Sequence, residues 1–353
     1  MTGQKFKTPP SKITLGMVAE KAGVGPATVD RVINERGNVS KAAQKKVIEA
    51  ARQLGLKRIL PKSYHRHIRI EIILARPELP LIARISDEMI NVARGLTGSV
   101  TIHRNILKEE TPEQISSALV KTTCDGVIVY APNHALVNSA ISMLKKRGVH
   151  VVAIISDLPH SGRLAYAGMN HHQAGRTAGY LMHNTVHRPG PIVILCNHLG
   201  FQSHIQRVEG FSNYLKENNK NLTITAIVEG GDDRDRSEIK LRETFSRQKD
   251  IVGIYNVGAA NRGVAAAIRA DILAERPVFI GHELTPFTAS FLREKTMSFT
   301  IDQAPELQAR FAIEVLLREF GFMASGTPSP PYHSPVPIII YSPENIPGSA
   351  EPN

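Results

Sequence analysis

The 353-residue chain carries 43 Lys and Arg against 32 Asp and Glu, is 42% hydrophobic and 21% charged, and has no Trp and two Cys. That length allows two or three domains of ordinary globular composition, and two cysteines are too few for a disulfide framework or a zinc site. The longest apolar runs, such as Val151–Ile155, fall far short of the roughly 20 residues that cross a membrane. The polar start MTGQKFKTPPSK lacks a signal-peptide core, and aromatics at 5% leave no stacking platform for bases. Cys124 and Cys196 lie in apolar, strand-like stretches and read as buried free thiols in a reducing compartment.

The charge is unevenly spread. Residues 1–70 hold 15 Lys and Arg against 4 Asp and Glu, whereas the remaining 283 residues hold 28 of each sign. A small basic module joined to a neutral body is expected to engage a polyanion through one end.

In chain order, residues 1–12 are polar with Pro9-Pro10 and read as an arm. Thr14 caps a short helix from Leu15 to about Lys21, with Leu15, Val18 and Ala19 on one face, and Gly23 ends it. Pro26 stands at the first turn of a second helix, where its missing N–H is harmless, and that helix runs to about Asn34. Ser40 caps a third helix from Lys41 to about Leu54, with Val47, Ile48 and Ala51 as its apolar stripe. A basic link, KRILPKSYHRHI, follows over 57–68. Strand-like runs then appear at 69–74, 100–107, 126–130, 149–155, 191–195, 222–228, 253–257, 277–281 and 335–341. They alternate with helical stretches at 111–121, 133–147, 172–186, 204–218, 236–249, 259–270 and 305–319. Such alternation predicts parallel sheets with helices on both faces. About 270 residues is large for one such core, so two lobes are expected.

In the second helix Val29, Val32 and Ile33 face inward, while Ala27, Asp30, Arg31 and Asn34 share the opposite face. Arg and Asn are the best readers of base edges in the major groove, and the first two helices have helix-turn-helix proportions. The glycines of GVG do not make a phosphate loop: no strand precedes them, no third glycine follows at the dinucleotide spacing and no Gly-Lys-Ser/Thr occurs.

ITLGMVAEKAGVGPATVDRVINERGNVSKAAQKKVIEAARQLG, residues 13–55, resembles the DNA-binding headpiece of the lactose-repressor/galactose-repressor family. Its VA-x-x-AGV, TV-x-RV-x-N and VS-x-x-x-x-x-V-x-x-A segments stand at that family's spacings. The remainder resembles the family's effector domain, a relative of periplasmic sugar-binding proteins. The implied fold is α/β: a helical helix-turn-helix headpiece (1–56), a hinge (57–68), a two-lobed periplasmic-binding-protein-like body of type I with parallel sheets (69–345) and a tail (346–353). The resemblance implies double-stranded operator DNA, a small-molecule effector (sugar, polyol or sugar derivative) and a second copy of the chain as partners, in the cytoplasm. It places Pro26 and Ala27 at operator-reading positions, where they offer only apolar contact, and makes Arg31 the main guanine reader. Thr28, Asn34, Asn38 and Ser40 join the DNA-facing set. Asp30 replaces the usual Ser; beside a polyanion it must accept from a cytosine amine or pair with a nearby cation. The family's hinge pattern is missing, and Leu60 or Tyr64 takes the place of the leucine wedge in the minor groove.

In a two-lobed α/β body, ligands bind at the carboxyl ends of the strands. Asp157, Arg207, Asn256, Glu283 and Gln303 follow apolar strands and match, in order, positions where the resembling proteins place ligand hydrogen-bonders. Acids, an arginine and amides suit a polyhydroxylated ligand. Leu81 and Ile82 stand where sugar-binding relatives often place aromatics, and His171 replaces a common Asn. The His65/His67 and His171/His172 pairs lack further ligands, so no metal and no cofactor is expected. The second reading is a carbohydrate-processing α/β enzyme with Asp157 and Glu283 as a carboxylate pair. Against it, no Gly-x-Ser-x-Gly, P-loop or His-Glu-x-x-His occurs, and no catalytic residue is nominated.

Overall fold

A computed structural model describes residues 13–34, 36–54, 56, 67–96, 99–197, 200–218, 221–323 and 336–348. The chain divides into two compact units, Met1–Arg66 and His67–Asn353. Leu60 and Tyr64 lie outside the described residues.

The first unit holds α1 (Leu15–Ala22), α2 (Pro26–Ile33) and α3 (Lys41–Leu54). The Thr14 hydroxyl accepts from the Met17 N–H, and Gly23 adopts the left-handed conformation (φ 65°) that releases the chain from α1. The Val24 N–H then returns to the Ala19 carbonyl at 3.1 Å. Pro26 opens α2 with Gly25 as its extended N-cap. The three helices close over one small core of Val18, Val29, Val32, Val47 and Ala51, all fully or almost fully buried.

The second unit contains two sheets. The first comprises β1 (Ile68–Ala75), β2 (Val100–Leu107), β3 (Gly126–Val129), β4 (His150–Ile154) and β5 (Ala165–Ala167), in the order β2-β1-β3-β4-β5 and parallel throughout. The second comprises β6 (Gly190–Cys196), β7 (Leu222–Glu229), β8 (Gly253–Asn256), β9 (Val278–His282), β10 (Phe299–Asp302) and β11 (Ile339–Tyr341), in the order β11-β10-β9-β8-β6-β7. Only β11 runs antiparallel to its neighbour.

Alternating apolar residues explain how each sheet is covered on both faces. Ile70, Ile72, Ile128 and Val152 pack on α4 (Pro80–Arg94) and α12 (Pro305–Glu319). Ile73, Val127, Val129 and Val151 point the other way, onto α5 (Pro112–Lys121) and α6 (Ala135–Lys146). In the second sheet Ile192, Ile194 and Tyr255 face α7 (His171–Thr185) and α8 (Gln202–Asn218), while Val193, Leu195 and Ile254 face α9 (Arg234–Arg247), α10 (Asn261–Arg269) and α11 (Pro286–Arg293). Because α12 packs on the first sheet although it follows β10, the chain passes between lobes after β5, after β10 and after α12.

Three differences from the sequence expectation stand out. β5 spans three residues and β10 four, too short for a period to show. Helices α4 and α11, absent from the expected list, both open on a proline. The predicted strand over 335–341 is described as β11 at Ile339–Tyr341. Among the described residues, no helix is long and apolar enough to cross a membrane.

Candidate functional sites: an exposed helix face and an interlobe cavity

On α2, Pro26, Ala27 and Arg31 are exposed, and Thr28, Asp30 and Asn34 are half-buried. Asp30 does not stand alone: its Oδ2 accepts from Arg36 Nη1 at 2.8 Å and its Oδ1 from Asn34 Nδ2 at 2.6 Å. Of the two roles open to this acid, pairing with a nearby cation is the one the folded headpiece contains. That pairing also engages the Asn34 amide, so Arg31 is left as the less constrained polar reader on this face. Ser40 accepts from the Ala43 N–H at 3.3 Å and so caps α3. Asn38 is exposed in a left-handed turn (φ 53°) next to Gly37 (φ 68°).

In the body, a cavity of about 420 Å³ lies between the lobes at the carboxyl ends of the strands. The first lobe supplies Arg76, the start of α4 from Leu79 to Ile82, Tyr130 and Ile155. The second supplies Ser203, His204, Arg207, Asp232, Asn261, His282, Glu283 and Phe287. Four of these residues stand just past strands β1, β4, β7 and β9 with positive φ: Arg76 (57°), Ile155 (66°), Asp232 (50°) and Glu283 (71°). A left-handed conformation is costly for any residue with a Cβ, most of all for a β-branched one such as Ile155, and such strain persists where the surroundings over-determine it. Here it turns each chain sharply at the cavity wall.

Arg207 is the central cation. It lies on α8, 3% exposed, and reaches the cavity because α7 and α8 cross unusually closely. A Cβ on Gly175 would stand 2.1 Å from the Arg207 carbonyl oxygen, and a Cβ on Gly210 would stand 2.1 Å from that of His172. The crossing sets His171 behind Arg207. Arg207 Nε donates to His171 Nδ1 at 3.2 Å, and Nη1 donates to the Val257 carbonyl at 2.6 Å. His171 Nε2 in turn meets the Ile155 carbonyl at 2.5 Å and the Tyr166 hydroxyl at 2.9 Å. An imidazole that accepts at Nδ1 carries its proton on Nε2. Burial, reinforced by the Arg207 charge, holds its pKa well below the usual range, so it stays neutral.

Glu283 is 6% exposed. Its Oε1 accepts from Gln303 Nε2 at 2.5 Å, and its Oε2 has no hydrogen bond among the described residues, with Arg84 Nη1 3.7 Å away. Burial, and next the Asp302 charge, push its pKa up to about 8. Burial also raises Asp232 to about 6, against the lowering effect of the Ala259 N–H that its Oδ1 accepts at 2.8 Å. His282 meets the Tyr255 hydroxyl through Nε2 at 2.9 Å, while its Nδ1 has no partner among the described residues.

Two arginines of the first lobe tie the lobes together beside the cavity. Arg76 donates to the Gly231 carbonyl at 3.0 Å and pairs with Glu78 and Glu110. Arg84, on α4, bonds Asp302 at 2.7 Å and the Leu284 carbonyl at 3.1 Å, and grips both oxygens of Glu306. Burial would lower the Arg84 pKa, but its bonds to Glu306 and Asp302 raise it instead.

Of the five residues nominated from sequence, Arg207, Glu283 and Gln303 meet in this cavity, while Asp157 and Asn256 stand outside its lining. Both Asp157 oxygens are held by Arg163, and its Oδ1 also accepts from the Leu158 N–H, so the acid staples its own turn. Asn256 is fully buried and bonds Gly258 in both directions and Asn261 at 2.8 Å, building the turn after β8. The 157/283 carboxylate pair of the enzyme reading is therefore not assembled. Sequence reasoning missed Arg76, Asp232, His282 and Phe287. The rule that nominated Asp157, a polar residue just past a strand, also picks out Arg76, Asp232 and His282. Phe287 belongs to the overlooked α11, and Arg262 lies 4.3 Å over its ring. Tyr130 stacks on buried Phe201 at 5.0 Å.

Comparison with known proteins agrees with both units. Residues 93–321 match the periplasmic binding protein domain, and residues 14–58 match the bacterial regulatory proteins of the lacI family. Catabolite control protein A of Priestia megaterium is 24% identical over 231 residues, 62% of this chain, and the match spans 65% of that relative's length. Among solved structures, an ABC transporter solute-binding protein from Burkholderia graminis in complex with D-arabinose covers 80% of this chain and 97% of its own (TM-score 0.71, 19% identity). GanP, a glucose-galactose binding protein from Geobacillus stearothermophilus, covers 79% of this chain and 99% of its own (TM-score 0.70, 20% identity). At these identities the structural likeness speaks for the fold alone. The chain belongs to the periplasmic binding protein domain family and carries at its N-terminus the helix-turn-helix domain of the lacI family of bacterial regulatory proteins.

Proposed function

We propose that the protein is a ligand-responsive transcriptional regulator rather than an enzyme, acting in the cytoplasm as a repressor of carbohydrate or polyol utilisation genes. A homodimer binds a pseudo-palindromic operator in double-stranded DNA, and a small polyhydroxylated molecule in the interlobe cavity modulates that binding. The observation that carries this reading is the pairing, in one chain, of a strongly basic helix-turn-helix unit with a charge-balanced body whose cavity is walled by both lobes. Arg76 and Arg84 reach from one lobe to backbone and carboxylate groups of the other, so a ligand seated between them favours one lobe arrangement over another. Differential affinity of about 1–3 kcal/mol between two arrangements suffices for such coupling.

On the DNA side, Arg31 reads guanine through the major groove, Pro26 and Ala27 offer apolar contact, and Thr28, Asn38 and Ser40 position the phosphates. Asp30 orders Asn34 and Arg36 rather than reading a base. Residues 57–68 link the two units, with Leu60 or Tyr64 entering the minor groove. On the ligand side, Arg207, Glu283 and Gln303 hold hydroxyl and acidic groups, and Asp232 and His282 complete the set.

The test separates the two halves. An operator is selected from a random DNA pool with the full chain. Arg31→Ala is expected to lose specific operator binding while keeping ligand binding. Operator affinity of the parent chain falls steeply with salt. Normal operator affinity in Arg31→Ala, by gel shift, refutes the assignment of α2 as the reader.

A further inference from the structure

Arg207 is the one arginine buried among the described residues, and it forms no ion pair there. Four more arginines lie at or beside the cavity: Arg76 pairs with Glu78 and Glu110, Arg84 with Asp302 and Glu306, and Arg234 with Asp235, while Arg262 is exposed and lies over the Phe287 ring. Arg207 instead spends Nε on a neutral imidazole and Nη1 on a backbone carbonyl, and its Nη2 makes no hydrogen bond to a described residue. A buried cation with no carboxylate within ion-pair distance is costly, and an anion in direct contact with it relieves that cost.

A second donor lacks a partner on the same wall. Tyr255 is fully buried, and among the described residues His282 Nε2 is the one partner its hydroxyl has. The hydroxyl proton therefore goes to Nε2, because otherwise a buried O–H would stay unsatisfied. With Nε2 accepting, the imidazole keeps its proton on Nδ1, and that Nδ1–H is buried, without a partner among the described residues, on a side chain that lines the cavity. Burial and the Arg207 charge keep the ring neutral, so it donates without adding a second positive charge. Glu283 retains its proton up to about 8, so at neutral pH it does not oppose an incoming anion. Asp232, raised only to about 6, is ionised at neutral pH and sits within reach of the Arg207 charge, and it remains for hydroxyl groups.

From these groups we infer that the molecule bound in this cavity is a polyhydroxylated carboxylic acid, its carboxylate on Arg207 and the Nδ1–H of His282 and its hydroxyls on Asp232, Glu283 and Gln303. The inference rests on the effector-cavity reading and narrows it from sugars in general to sugar acids. A carboxylate matches the planar guanidinium, and Arg207 offers it one remaining nitrogen beside a single imidazole N–H. A phosphate dianion calls for more donors than that, and a neutral sugar leaves Arg207 without an anion in direct contact.

The test is calorimetry on the full chain with matched probes: D-gluconate, D-galactonate, D-glucuronate and D-galacturonate, each against sorbitol, galactitol, D-glucose and D-galactose. At least one acid is expected to bind about 10–150-fold more tightly than its uncharged counterpart, the range of a charged hydrogen bond. Arg207→Met is expected to remove that preference, with circular dichroism confirming the fold; the probe comparison on the parent chain stands even where that variant does not fold. Equal affinity for an acid and its uncharged counterpart overturns the inference. So does binding of D-glucose 6-phosphate with no acid bound, and so does silence of the whole acid set. The effector reading is judged separately: it survives any of these outcomes if an uncharged sugar or the phosphate shifts operator affinity, and fails if ligand binding leaves operator affinity unchanged.

Discussion

Glu283→Gln is predicted to change how stability depends on pH. The carboxyl is buried, its Oε2 has no hydrogen bond among the described residues, and Arg84, 3.7 Å away, is already engaged by Asp302 and Glu306. Ionisation is thus poorly compensated, and the pKa moves from 4.5 to about 8 in the folded protein. Between those values the folded chain holds a proton that the unfolded chain has released. The unfolding free energy must therefore fall as pH rises, by roughly 1.4 kcal/mol per pH unit for a single group. Over the whole window of about 3.5 pH units this one residue accounts for a loss on the order of 5 kcal/mol. The stabilising contribution is complete below pH 4.5 and gone above about 8. A glutamine has the same shape, keeps an acceptor for Gln303 and releases no proton, so the variant lacks this slope. Urea unfolding of both full-length proteins at half-unit steps from pH 5 to pH 8.5 measures it. The stability of the variant relative to the parent is expected to rise by several kcal/mol across the series. Parallel curves would show that Glu283 ionises freely in the folded state, and the account of its burial would be wrong.

Three further outcomes follow from named contacts. Gly210→Ala puts a methyl 2.1 Å from the His172 carbonyl oxygen. Overpacking outweighs the gain in helix propensity, so about 2 kcal/mol of stability is lost by urea unfolding and ligand affinity drops as Arg207 shifts; an unchanged or higher stability contradicts the close crossing of α7 and α8. Asp30→Asn removes a negative charge from the α2 face, and its pair with Arg36 is exposed (37% and 67%). Thermal unfolding of the headpiece is expected to move by less than about 1 kcal/mol while DNA binding at low salt strengthens; a loss of operator binding in the folded variant instead assigns Asp30 a base contact. Asp157→Ala frees Arg163 but touches nothing in the cavity. Ligand affinity by calorimetry should hold, and a fall of about tenfold, 1.4 kcal/mol, returns Asp157 to the ligand set.

Much of the architecture was legible in the chain because the physics behind it is local. Thr14, Gly23 and Pro26 announce the ends of α1 and α2 through capping and fixed dihedrals. Runs such as Ile70–Leu74 announce buried strands, and the strands of 100–107 and the helix of 305–319 have the predicted bounds. Helices α4 and α11 were not among those expected, although each opens on a proline just as the expected α2, α5 and α12 do, so that signal alone does not separate them. The site was legible only by category. Polar residues past strand ends were the right kind to list, yet Asp157 and Asn256 turned out to bond within their own turns, while Arg76, Asp232 and His282 face the cavity. The sequence by itself determined the elements, their order, the α/β class and the segregation of positive charge into the first 70 residues. Only the tertiary structure decided which strand ends share a cavity and which charges go unmatched. The deciding hydrogen bonds join residues far apart in the chain, His171 to Arg207 and Arg84 to Asp302, and partners chosen by proximity in space leave no period or spacing in the sequence.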